Sequence, residues 1–131
     1  MSLIQFSSVA TGPFILFRET TERIFKSINE PFRDEGAFAA EDLPDVLARL
    51  DAAAAEDKAK AAALEAERER RLREGTYDEE IRAREADREE EEKNRHREDA
   101  VRLYQRIVPL QEMIRRAIRH DKPVMWTKLG R

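Results

Sequence analysis

Two stretches able to build a core, residues 1–55 and 100–131, are separated by a middle, residues 56–99, that is almost emptied of large apolar side chains. A domain of a few tens of residues buries too small a fraction of its surface to stand alone without disulfides or a metal. The chain contains no cysteine, so neither end carries a covalent staple. The two ends are therefore expected to close on each other, giving a single domain over 1–131 with 56–99 as an insert. The same absence removes a thiolate nucleophile and any cysteine-ligated zinc or iron–sulfur site, and it suits a reducing cytoplasm.

Charged residues make up 40% of the chain, against about 25% in an ordinary globular domain. Much of the sequence is thus surface. The sign is unevenly placed, with net charges of −4 over residues 1–55, −5 over 56–99 and +6 over 100–131. The basic end can complement the acidic end within one fold, or it can present a surface to a polyanion. The apolar run Pro13-Phe14-Ile15-Leu16-Phe17 has no basic residue before it and no small-residue cleavage site after it, so no signal peptide is expected. Nothing approaches the ~20 apolar residues of a membrane span.

Residues 3–7 read as a short strand with Ile4 and Phe6 on one face. Thr11-Gly12-Pro13 then has the form of a helix start, with proline at the first helical position. Phe14, Phe17, Thr21, Ile24, Phe25 and Ile28 follow at helical spacing, which predicts one helix with these residues toward the core. Asn29-Glu30-Pro31 stops it, and residues 36–39 suit a second short strand carrying Phe38. Another helix is expected from about Glu41, with Leu43, Val46, Leu47 and Leu50 on one face and Pro44 tolerated in its first turn. Leu103, Ile107, Leu110, Ile114 and Ile118 mark the widest apolar helix face, interrupted by Pro109, which predicts a kink. Residues 123–128 read as a closing strand with Val124 and Trp126 on one face, joining the sheet that contains residues 3–7.

In the middle, about two-thirds of residues 56–99 are charged. Acids repeatedly stand four residues before bases, as in Glu67 with Arg71 and Glu80 with Arg84, and such pairs add roughly 0.3–0.5 kcal/mol each to an isolated helix. Gly75-Thr76, with Glu79 following, can end one helix and cap the next. A helical hairpin with its tip near Gly75 is expected, its alanines Ala59, Ala62, Ala63 and Ala66 packing against Ala83 and Ala86. A dimerising coiled-coil arm and a frayed linker remain alternatives.

The segments Leu3-Ile4-Gln5-Phe6-Ser7, Glu41-Asp42-Leu43-Pro44-Asp45-Val46-Leu47-Ala48-Arg49-Leu50, Arg106-Ile107-Val108-Pro109-Leu110-Gln111-Glu112-Met113-Ile114-Arg115-Arg116 and Lys122-Pro123-Val124-Met125-Trp126 resemble the DUF1840 family. The resemblance covers both ends and skips the middle, a variable and often acidic insert in that family. It implies a small bacterial cytoplasmic protein and brings no known activity, catalytic residue or cofactor. The chain departs from the pattern after the first helix, where Asn29-Glu30-Pro31 stands in place of an expected glycine.

No glycine-rich phosphate loop and no serine in a strand-to-helix elbow is present. His96 lies between Arg95 and Arg97, where a metal would meet like charge, and His120 stands at a helix C-terminus, where its proton suits the dipole. The carboxylates of residues 85–92 are interleaved with Arg88 and Lys93, which favours a solvated face over a cation site. No catalytic residue, cofactor site or metal site is therefore assigned. An enzyme reading would need Phe14, Phe25, Tyr104 and Trp126 to line one pocket with convergent polar groups. The expected fold is α+β: a small sheet including the N- and C-terminal strands, packed by helices, with a long charged helical hairpin projecting. The expected function is a non-catalytic protein-interaction module, binding a protein partner or a second copy. The alternative is a binder of nucleic acid or another polyanion through Arg115, Arg116, Arg119 and Lys122.

Overall fold

The computed structural model describes residues 2–74, 81–82, 84–89 and 102–130. The chain opens with an antiparallel hairpin of β1, Leu3–Ser8, and β2, Thr11–Phe17. Helix α1, Arg18–Ser27, and strand β3, Glu35–Phe38, follow. A 3-10 turn, Ala40–Asp42, leads into helix α2, Leu43–Glu74, and residues 81–82 and 84–89 are again helical. Helix α3, Leu103–His120, and strand β4, Val124–Leu129, close the fold. The four strands form one antiparallel sheet in the order β2-β1-β4-β3. The N- and C-terminal strands are thus the two central ones, with Ile4 opposite Lys128 and Phe6 opposite Trp126.

Alternation decides which face of the sheet is buried. Ile4, Phe6, Leu16, Phe38, Val124 and Trp126 point to one side, where α1 and α3 pack, while Ile15 and Met125 on the other side are exposed. Helix α2 lies against α3 and adds Leu43, Val46 and Leu50 to the same core. Phe25 sits at its centre, with ring centroids 5.0 Å from Trp126, 5.4 Å from Phe32 and 5.7 Å from Phe38.

The expected helix over 14–28 is corrected in its first half: residues 11–17 are β2, and α1 begins only at Arg18. Pro13, read as a helix start, lies instead in an edge strand, where its missing N–H costs no ladder bond. The pairing runs from Phe6↔Phe14 to Ser8↔Thr11, so Ser7 opposes both Gly12 and Pro13 and one residue is extra, a β-bulge. Phe14 and Phe17 fit a helical stripe and an extended strand equally well, and burial separates the two: Leu16 is buried while Ile15 is 51% exposed. From Thr21 onward the expected stripe holds, with Thr21, Ile24, Phe25 and Ile28 all buried.

Asn29 does the work of the missing glycine. It adopts φ 60°, a left-handed conformation that asparagine tolerates better than most residues. The N–H groups of Glu30 and Asn29 then donate to Phe25 O at 2.9 Å and Lys26 O at 3.1 Å, closing the helix in a Schellman motif. Helix α3 ends the same way, with Lys122 N donating to Ala117 O and Asp121 N to Ile118 O, and with Asp121 at φ 54°. Aspartate there meets the negative end of the helix dipole in a conformation glycine adopts freely. Asp121→Gly should therefore raise stability by about 0.5–1 kcal/mol, read as a higher urea midpoint at unchanged slope. Helix α3 continues through Pro109 as one element.

Only Leu43, Val46 and Leu50 of α2's 32 residues are buried. Its far half is held by surface ion pairs, including Glu56–Lys60, Glu67–Arg70 and Glu67–Arg71. Hydrogen bonding to Arg70 holds the Glu67 carboxyl below its ordinary pKa. An ion pair of 2.9 Å from Arg68 Nε to Asp87 Oδ1 joins α2 to the later helical segment, as a hairpin requires. The expected alanine seam is corrected: Ala59, Ala62, Ala63, Ala66 and Ala86 are exposed, and the half-buried stripe of α2 runs instead through Ala54, Asp57, Ala61, Arg68 and Leu72. The expected tip at Gly75-Thr76, and Ala83, lie outside the described residues.

Candidate functional site

A cleft of about 470 Å³ opens between β3 and the first turns of α2. Its β3 wall is built by tight local packing. Gly36 pairs with Trp126 across the sheet, and a Cβ there would collide with the indole at Cζ2. The indole therefore lies flat over the β3 backbone only because position 36 has no side chain. Trp126 Nε1 donates to Arg33 O at 2.8 Å, anchoring the segment that enters β3. Arg18 braces the same segment: its Nε bonds Asp34 Oδ1 at 2.9 Å and its guanidinium lies 5.2 Å from the Phe32 ring centroid. Hydrogen bonding to Asp34 raises the Arg18 pKa above its ordinary value.

Arg49 holds the opposite wall in place. It donates from Nη1 to Ile28 O at 2.8 Å and from Nη2 to Glu30 Oε1 at 2.7 Å, linking α2 to the end of α1. Its Nε lies 3.1 Å from Asp45 Oδ2, close enough for an ion pair but at an angle that leaves the N–H unbonded. The hydrogen bond to Glu30 pushes the Arg49 pKa up. The cleft thus gathers four carboxylates, Glu30, Glu35, Asp42 and Asp45, against two guanidiniums, Arg33 and Arg49, over a floor that includes Phe38, Val46 and Trp126. Its lining carries no hydroxyl, thiol, imidazole or amine. Among the described residues, no three carboxylates or imidazoles converge as metal ligands would. Such an arrangement can hold a positively charged group on an apolar floor.

The aromatic set that an enzyme reading required is not brought together. Trp126 lines the cleft, whereas Phe25 is buried in the core, Phe14 stacks on Phe6 at 5.1 Å, and Tyr104 sits at the start of α3. Arg115, Arg116, Arg119 and Lys122 all lie exposed at the outer side and end of α3. Arg115 is engaged by Asp51 at 3.1 Å, and the same Asp51 oxygen accepts from the buried Gln111 at 2.7 Å. Arg116, Arg119 and Lys122 make no ion pair among the described residues. His120 is exposed at the end of α3, and His96 lies outside the described residues.

A structural contact that carries no sequence signal ties the insert to the core. Asp57, on α2, accepts from Arg102 Nη2 at 2.7 Å with one carboxylate oxygen and from the Tyr104 backbone N–H at 3.0 Å with the other. It thereby caps a helix whose N-cap residue, Arg102, stands 45 residues later. Asp57→Ala should cost about 1–2 kcal/mol by urea denaturation, with faster amide exchange confined to the first turn of α3.

The family model described as Domain of unknown function (DUF1840) matches residues 2–126. The chain belongs to the DUF1840 family. No curated protein and no solved structure matches it. The bounds of the DUF1840 match enclose the charged middle as well as both ends. In this DUF1840 chain, no described helix is long and apolar enough to cross a membrane.

Proposed function

We propose that this protein is a non-catalytic protein-interaction module of the bacterial cytoplasm, working through its charged helical arm. The observation that supports this is the reach of α2 beyond the core. Its last apolar side chains packed on the core are Ala53 and Ala54, and Asp57 makes its last bonds to α3, so residues 58–74 extend roughly 25 Å further at 1.5 Å per residue. Leu64, midway along, is 61% exposed. A helix that buries so little of itself gains its stability from a partner or from local ion pairs. The arm's occupant is another protein or a second copy of the chain.

A second reading rests on Arg116, Arg119 and Lys122, exposed at the outer end of α3, which suit phosphate oxygens. One experiment separates the two. A photo-crosslinking residue replaces Leu64 in one version of the full chain and Arg116 in another, and cells are irradiated before lysis with and without nuclease. Protein adducts from position 64 that survive nuclease are expected. Nuclease-sensitive adducts confined to position 116 would overturn the interaction reading in favour of the polyanion one.

A further inference from the structure

The geometry points to a peptide-docking groove: an extended segment of a partner protein, with Lys or Arg at alternate positions, adds as a fifth strand to the free edge of β3 and directs those side chains into the cleft against α2. The site goes beyond the arm and does not depend on it.

Three observations converge on this edge. The sheet order leaves β2 and β3 as its two edges, and alternate residues of an edge strand present unpaired N–H and C=O groups. The β2 edge is blocked against a further strand, because Pro13 lacks an N–H and the bulge at Gly12 and Pro13 breaks the register. The β3 edge has neither device: its residues Glu35, Gly36, Ala37 and Phe38 contain no proline, lysine or bulge.

The cleft runs along that same open edge. All four residues of β3 line it, facing Asp42, Asp45 and Val46 from the start of α2. A strand hydrogen-bonded to β3 would lie between the edge and the helix, the arrangement in which an added strand takes affinity from main-chain bonds and specificity from alternate side-chain pockets. Its inward side chains share the face of Gly36 and Phe38 and enter over Trp126.

The rim then selects their charge. Four carboxylates stand against two guanidiniums; Glu30 and Asp45 share Arg49, which also bonds the Ile28 carbonyl, and this leaves Glu35 and Asp42 against Arg33 with acid in excess. The carboxylates do not converge on a point as metal ligands would, so the rim suits a cationic head at the end of a long stem. The stem packs on the indole and the head stays at the wet rim. A second copy pairing β3 to β3 would bring Glu35 and both acidic rims together, and like-charge juxtaposition opposes it.

The test uses the full chain at physiological salt. A display library of random nine-residue peptides is selected on the immobilised protein, and an enriched peptide is synthesised with and without N-methylation at alternate amides. Enrichment of Lys or Arg at alternate positions is expected, with shifts of the Gly36 and Ala37 amides on binding and slowed exchange of the outward-facing one. N-methylation on the β3-facing register, or Glu35→Lys together with Asp42→Lys, should weaken binding at least about tenfold, with the near-UV signal of Trp126 retained as the folding control. No enrichment over blank support, binders without basic residues, or amide shifts confined to α2 beyond residue 55 or to the outer sheet face would each overturn the proposal. So would protection of the β3 amides by self-association at rising protein concentration without peptide. Failure of the position-64 crosslinks with peptide binding intact refutes the arm reading alone.

Discussion

Gly36→Val should destabilise the protein by about 3 kcal/mol, the sum of overpacking a close contact and losing a buried indole hydrogen bond. The collision is with Trp126, whose ring cannot retreat: Phe6, Phe25 and Phe38 surround it. The outcome is therefore a lifted β3, loss of the bond from Trp126 Nε1 to Arg33 O, and a collapsed cleft floor. Because the chain has a single tryptophan, its fluorescence reports this site directly. A red-shifted emission together with a lower urea midpoint is expected, whereas an unshifted emission at wild-type midpoint would show that β3 does not need the close approach.

Phe25→Ala should have the larger cost, about 3–5 kcal/mol, as for other buried phenylalanines cut to alanine. Phe25 is 1% exposed and joins elements distant in sequence, touching Phe6 on β1, Phe38 on β3 and Trp126 on β4, with Phe32 edge-on. Phe25→Leu keeps most of the volume and should cost less than about 1.5 kcal/mol. Urea titrations followed by circular dichroism measure both. Equal losses for the two variants would mean that aromatic ring geometry, and not volume, matters at this position.

The closure of the two ends was legible because composition carries it. The stripes Leu43, Val46, Leu50 and Ile107, Leu110, Ile114 find their apolar partners in each other, in α1 and in the strands, within one core cluster. Residues 11–17 were misread because the four apolar residues Phe14 to Phe17 behind Pro13 satisfy both periods. Only pairing with β1 selects the strand, and that is a nonlocal fact. The cleft was not legible at all. Gly36 is one of four glycines, and nothing in the sequence shows that an indole from ninety positions away lies on it. Asp57 likewise reads as one acid in a charged helix, yet it caps α3. Such contacts depend on which elements the fold brings side by side, not on local pattern.

The central pairing of β1 with β4 sets an order of events during synthesis. β1 lacks one of its two neighbours until β4, at residues 124–129, has been made, so the sheet stays unfinished while the residues between them are synthesised. Pairing across such a separation is the slow kind of step in folding. The Asp57 contact to Arg102 spans 45 residues, and once formed it would shorten the loop that the β1–β4 pairing has to close. Each halving of the effective loop lowers the closure cost by about 0.6 kcal/mol. Formed early, this contact would act as a clasp that brings the C-terminal helix and strand to the waiting edge of β1.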